Sequence, residues 1–213
     1  GMAAEGVDAG DAAAAAAYNV RKWRRFYTAC RQVVEAHHPG AVLYFNGTTH
    51  LHILDRLDLD NTQQDLEDLP TTWGGYNRFP LRARFYAREP RPYVAMSGKF
   101  HTSWGEFGGF KHPDALRYEA AAMVAYGAGC NFGDQLHPGG EMDLATYRNI
   151  GHAFRYVKRI EPYGLGGRPH ANLAVWWGLK TATSTGAFAL PDNHHGISEM
   201  LLDTQTDYEI ADT

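Results

Sequence analysis

The stretch from Tyr93 to Pro138, YVAMSGKFHTSWGEFGGFKHPDALRYEAAAMVAYGAGCNFGDQLHP, constrains the fold of this chain more than any other. Two short apolar runs, 93–97 and 129–133, read as buried strands. An alanine-rich segment, 113–126, reads as the helix between them. Strand, helix, strand in that order is a crossover unit. It puts the two strands parallel and side by side, with the helix on one face. Each run leads directly into polar and aromatic residues. Lys99, His101 and Trp104 follow the first; Asp134, Gln135 and His137 follow the second. In parallel α/β folds the chemistry sits at the carboxyl ends of the strands. Trp, His, Asp and Gln gathered there suit a sugar: an aromatic face stacks on a pyranose ring, and polar groups hold its hydroxyls.

The rest of the chain extends the alternation. Asp11 is placed to cap a helix over the alanine run 12–17 and on to about His37. Pro39-Gly40 ends it. Residues 41–45 form a continuous apolar run read as a buried strand, with Asn46-Gly47 at its carboxyl end. Residues 48–63 read as loop, 64–69 as a short strand, 81–87 as helix, and 142 or 143 to about 160 as another helix. A boundary is expected at 161–167. Beyond it come a strand at 172–177, a polar loop at 181–196, a helix at 197–204 and a last strand at 208–211. The predicted class is α/β with a parallel sheet. Only four strands precede residue 163, half of what an eight-fold barrel needs.

Bulk properties exclude several functions. With 213 residues, 44% hydrophobic and 21% charged, the chain has an ordinary globular composition. A net charge of −4 and no basic stripe argue against nucleic acid or an anionic membrane as partner. No apolar run approaches the ~18 residues of a membrane span. No secretory signal is evident, so a cytoplasmic protein is expected, with Cys30 and Cys130 as reduced thiols rather than a disulfide. The eleven histidines, His50/His52 and His194-His195 among them, lack the spacing or cysteine partners of a zinc site. Neither metal nor cofactor is expected.

The pieces VLYFNG at 42–47, LEDLPTTWGGY at 66–76, SGKFHTSWGEFGG at 97–109, ALRYEAAAMVAYGAG at 115–129 and NFGDQLHPGG at 131–140 resemble a bacterial family of glycoside hydrolases. That family is related to the α-L-fucosidases and often carries a β-galactosidase-type trimerisation domain. The resemblance implies the carboxyl-terminal half of a (β/α)8 barrel over residues 1–163. Residues 164–213 would open a flavodoxin-like trimerisation domain. In the family, four further strands precede the helix at 11–37, and the last of them ends in the aspartate expected to be the nucleophile. No such strand stands in this sequence.

Glycoside hydrolysis ordinarily uses two carboxyl groups, roughly 5–10 Å apart. Glu67 and Asp134 are the catalytic candidates. Glu67 is expected at a strand end beside Trp73 and Tyr76, an apolar wall that suits a general acid. The alternative is an exposed acid between Asp65 and Asp68. Asp134 either lines the site or caps loop amides. Glu106, among glycines, reads as structural. Asn46, Trp73, Tyr76, Lys99, His101, Trp104, Gln135 and His137 are the candidate substrate-binding residues, although Asn46 also reads as a turn former.

Two readings follow. One is a glycoside-hydrolase-like protein that binds or hydrolyses a hexose or deoxyhexose glycoside. The other is a non-catalytic carbohydrate-binding or assembly module. The expected partners are carbohydrate, together with a second copy or another chain that supplies the missing half-barrel.

Overall fold

A computed structural model describes residues 1–47, 60–178 and 192–211. They fall into two compact units, Gly1–Gln64 and Asp65–Thr213.

The first unit is built on helix α1, Ala12–His37. Alanine favours the helix, and the Asp11 carboxylate accepts hydrogen bonds from the amides of Ala13 and Ala14. Gly40, with φ of 77°, turns the chain beyond its end. Of the helically spaced apolar residues, Tyr18 and Tyr27 are buried, whereas Trp23, Phe26 and Val33 are exposed. Residues 41–45 are not the strand that their composition predicts. Thr62 Oγ1 accepts the Leu43 amide and Asn61 Oδ1 accepts the Phe45 amide. Side chains thus take donors that a ladder would use. Asn46 and Gly47 form an exposed turn. His50 and His52 lie outside the described residues.

The second unit alternates. Strand β1 (Gln64–Glu67) leads into it, followed by α2 (Arg78–Ala87), β2 (Tyr93–Gly98), α3 (Pro113–Ala125), β3 (Gly129–Gly133) and α4 (Leu144–Gly164). The sheet order is β1-β2-β3. β2 and β3 are parallel, with Ala95 opposite Cys130 and Gly98 opposite Gly133. A second parallel pair joins β4 (Ala174–Trp176) to β5 (Glu209–Ala211), with α5 (Asp192–Asp203) between them in sequence. The α/β class read from the sequence therefore holds. Helix α5 begins before the predicted residue 197 and takes in His194 and His195.

Alternation divides the three-stranded sheet into two unlike faces. One carries Tyr93, Ala95, Ser97, Cys130 and Phe132 against the helices. Leu116, Ala120, Val124, Ile150, Ala153 and Val157 of α3 and α4 form the core there, and Cys130 and Phe132 pack onto it. The two helices approach so closely at Gly164 that a Cβ there would lie 2.2 Å from the Val124 carbonyl oxygen. Helix α4 runs through Pro162, past its predicted end. Pro162 has no N–H to give to the carbonyl four residues earlier, so the last turn lacks that bond. Arg84 of α2 holds the β5 segment, donating to the Tyr208 carbonyl and pairing with Asp207 at 2.8 Å. Trp177 is buried against Phe85, whereas Trp176 is exposed. Among the described residues no helix is long and apolar enough to cross a membrane.

Candidate functional site

The second face of the sheet carries Glu67, Val94, Met96, Gly98, Asn131 and Gly133. The Asp68 amide donates to the Met96 carbonyl at 2.8 Å, which sets Asp68 beside Ser97 on the helix-bearing face and Glu67 on the opposite one. Trp104 lies on this second face. A Cβ at Gly133 would stand 2.2 Å from the indole, and one at Gly98 would stand 3.2 Å from it. Two facing glycines at the carboxyl ends of β2 and β3 thus make the seat for one aromatic ring. Phe100 meets Trp104 edge-on at 5.0 Å. The indole Nε1 is buried without a hydrogen-bond partner.

The loops after β2 and β3 are clasped together. Gln135 Nε2 donates to the Gly105 carbonyl at 3.4 Å, and the rings of Phe107 and His137 lie 5.8 Å apart. Lys99 donates its amide to Gly133 and accepts from the Lys111 amide, so the loop leaves and rejoins the sheet at one place. The Lys99 side chain is buried and does not reach outward as a free ligand. Its Nζ donates to the Gly109 carbonyl and lies over Phe100 and Phe110. His101 is exposed. Glu106 accepts the Thr102 amide at 2.7 Å, which holds its carboxyl below the ordinary range.

The structure brings Trp104, Gln135 and His137 together at the carboxyl ends of β2 and β3. Asp134 follows Gly133 directly, and its Oδ2 is buried without a hydrogen-bond partner. Glu67 is half-buried at the end of β1, its backbone carbonyl accepting from Arg82 at 2.6 Å. Among the described residues no hydrogen bond or ion pair links Glu67 to Asp134. Tyr76 does not wall Glu67. Its hydroxyl donates to Glu119 at 3.3 Å on the helix-bearing side. Burial, then the neighbouring Glu119, pushes the Tyr76 phenol up to about 12. Trp73 is half-buried in the turn after β1, where its carbonyl accepts from Arg78. Asn46 belongs to the other unit.

The sequence reading missed a buried polar network behind the site. Lys111 Nζ pairs with both Glu119 oxygens, at 2.9 and 3.1 Å, and donates to Ser97 Oγ at 3.1 Å. Ser97 Oγ donates to Glu119 Oε2 at 2.6 Å. All three residues are buried. The ion pair ties the end of the 99–111 loop, β2 and α3 to one another. The signal was Glu119 itself, an acid in an otherwise apolar helical run, because buried charges require partners. A second pair, Arg82 with Asp68 at 3.0 Å, does the same for β1 and α2. No group of three or more His, Cys, Asp or Glu among the described residues is placed to hold a metal ion.

The chain is similar to a solved structure, alpha-L-fucosidase isoenzyme 2 from Paenibacillus thiaminolyticus. The two are 39% identical with a TM-score of 0.89, over 99% of this chain and 32% of that one. The chain thus spans about a third of the length of that structure. No family model matches the chain, and no curated protein does. The resemblance read from the motifs is borne out as a likeness to part of a fucosidase.

Proposed function

We propose that this chain forms part of a glycoside-hydrolase barrel and binds a hexose or deoxyhexose glycoside at the carboxyl ends of β1, β2 and β3. The likeness to an α-L-fucosidase carries this reading, and it favours L-fucose or a sugar of similar shape. In this account β1–β3 with their helices belong to half of a (β/α)8 barrel. The residues from 164 onward open a flavodoxin-like domain. Trp104, seated on Gly98 and Gly133, is the stacking platform. Gln135, His137 and His101 lie around it as hydroxyl ligands. Glu67, on the Trp104 face, serves as general acid, and Asp134 is the second carboxylate. The strands that complete the barrel come from a second copy, another chain or further sequence.

The competing reading is a carbohydrate-binding or assembly module without catalysis. What favours it is that the chain corresponds to only 32% of the fucosidase structure it resembles. A panel of aryl glycosides led by the α-L-fucoside separates the two. Hydrolysis that falls by about 10²–10⁴ in Glu67→Gln supports general acid catalysis. Hydrolysis unaffected by both Glu67→Gln and Asp134→Asn removes these residues from the mechanism. Sugar binding without turnover leaves the binding module.

A further inference from the structure

The chain is acidic overall, at −4, and its sequence reads as having no basic stripe. The fold nevertheless assembles one. Helix α4 carries Arg148, His152, Arg155 and Arg159 at intervals of four, three and four residues, which sets them along one face. Arg117 of α3 stands beside them. Arg117, His152, Arg155, Tyr156 and Arg159 line an open hollow of about 430 Å³ between the two helices. No acid takes part in that lining.

The positive charge there is only partly offset. Asp114 pairs with Arg117 at 3.2 Å and lies 3.5 Å from His152. Among the described residues no carboxylate pairs with Arg155 or Arg159, which are exposed. These two stand one helical turn apart, about 6 Å along the axis. Like charges at that spacing destabilise a helix. An anion between them removes the repulsion. Tyr156 orders the far side of the hollow, because the Arg117 and Arg159 guanidinium groups lie 5.8 and 5.2 Å from its ring centre.

The charge count selects the ligand. Arginine stays protonated at any physiological pH, and its planar fork matches phosphate oxygens in pairs. Three guanidinium groups against one aspartate leave about two charges to be met, and a phosphate group carries about that many near neutral pH. A carboxylate or a sulfate ester carries one.

We propose that this hollow binds the phosphate group of a small molecule, held between Arg155 and Arg159 with Arg117 opposite. The site lies on the helices and is independent of the carbohydrate reading.

Phenyl phosphate tests the proposal, with phenyl sulfate as a counterpart of the same shape and lower charge. In calorimetric titrations of the full chain at pH 8, the phosphate binds at least fivefold more tightly than the sulfate. The double variant Arg155→Gln with Arg159→Gln weakens phosphate binding at least tenfold and unfolds at no lower urea concentration, since it relieves a repulsion between exposed residues. Lys158→Gln, which removes an exposed α4 cation outside the lining, leaves the affinity unchanged, as does Trp104→Ala. Equal affinity for the two esters, binding of neither, or full affinity in the double variant overturns the proposal. So does an equal loss in Lys158→Gln, which would mean general attraction to a basic helix rather than a site.

Discussion

Trp104 lies on Gly133 so closely that a single added methyl group, 2.2 Å from the ring, would displace it. Gly133→Ala therefore forces the indole off its seat. The obstructing atoms belong to a side chain that can swing, so the cost is that of moderate overpacking, about 1–3 kcal/mol. Urea unfolding followed by circular dichroism measures it. A shift in tryptophan emission with the fold retained is the expected companion result.

Gly164 is the contrasting case. There the obstruction is the Val124 backbone, which cannot swing aside. Gly164→Ala must push α3 and α4 apart, and the expected loss lies at or above the upper end of the same ~1–3 kcal/mol range. Comparing the unfolding midpoints of the two alanine variants tests the ordering. A milder effect at 164 than at 133 contradicts it.

Lys111 and Glu119 form a buried ion pair whose side chains are 2% and 3% exposed. Lys111→Met leaves a buried carboxylate without its cation, and the expected loss is about 3–5 kcal/mol. The double variant with Glu119→Gln removes that stranded charge and should recover part of the loss. A double-mutant cycle of unfolding free energies tests this. Additive effects would mean that the pair is not coupled.

The Cys130 thiol donates to the Ala120 carbonyl, and burial, with Glu161 nearby, pushes it up to about 11. The unfolded thiol ionises near its ordinary value, so at pH 9 the unfolded chain has lost protons that the native state keeps. The stabilising contribution of this thiol is complete below pH ~8.5 and is lost as pH rises toward the native value. Alkylation of Cys130 at pH 9 should accordingly be at least ~10-fold slower in the native protein than in urea. Peptide mapping of iodoacetamide-labelled protein reads the ratio, and equal rates refute the protection.

Local pattern was enough to read several elements. Asp11 before an alanine run, Pro113 opening α3, and the short runs that became β2 and β3 each carry their cause within a few residues. Residues 41–45 misled, because whether an apolar run joins a sheet depends on what meets its amides. Here Asn61 and Thr62, 16 and 19 positions away, capture two of them. Tyr76 misled for a related reason. Its partner is Glu119, 43 residues later, and nothing near Tyr76 announces which side of the sheet its loop will face. The strand-end position of Trp104 was legible, but its seat was not. The seat needs Gly98 and Gly133 in register, and register belongs to the pairing rather than to either strand.

The central claim is that the carboxyl ends of β2 and β3 hold a sugar against Trp104. The most direct test is a titration with methyl α-L-fucoside, following the indole N–H resonances of the tryptophans and assigning that of Trp104 with Trp104→Phe. The account predicts a saturable shift of the Trp104 resonance, with Trp23, Trp176 and Trp177 unmoved and binding lost in Trp104→Ala. A Trp104 resonance that stays in place through saturating sugar, or binding that survives in Trp104→Ala, would contradict it.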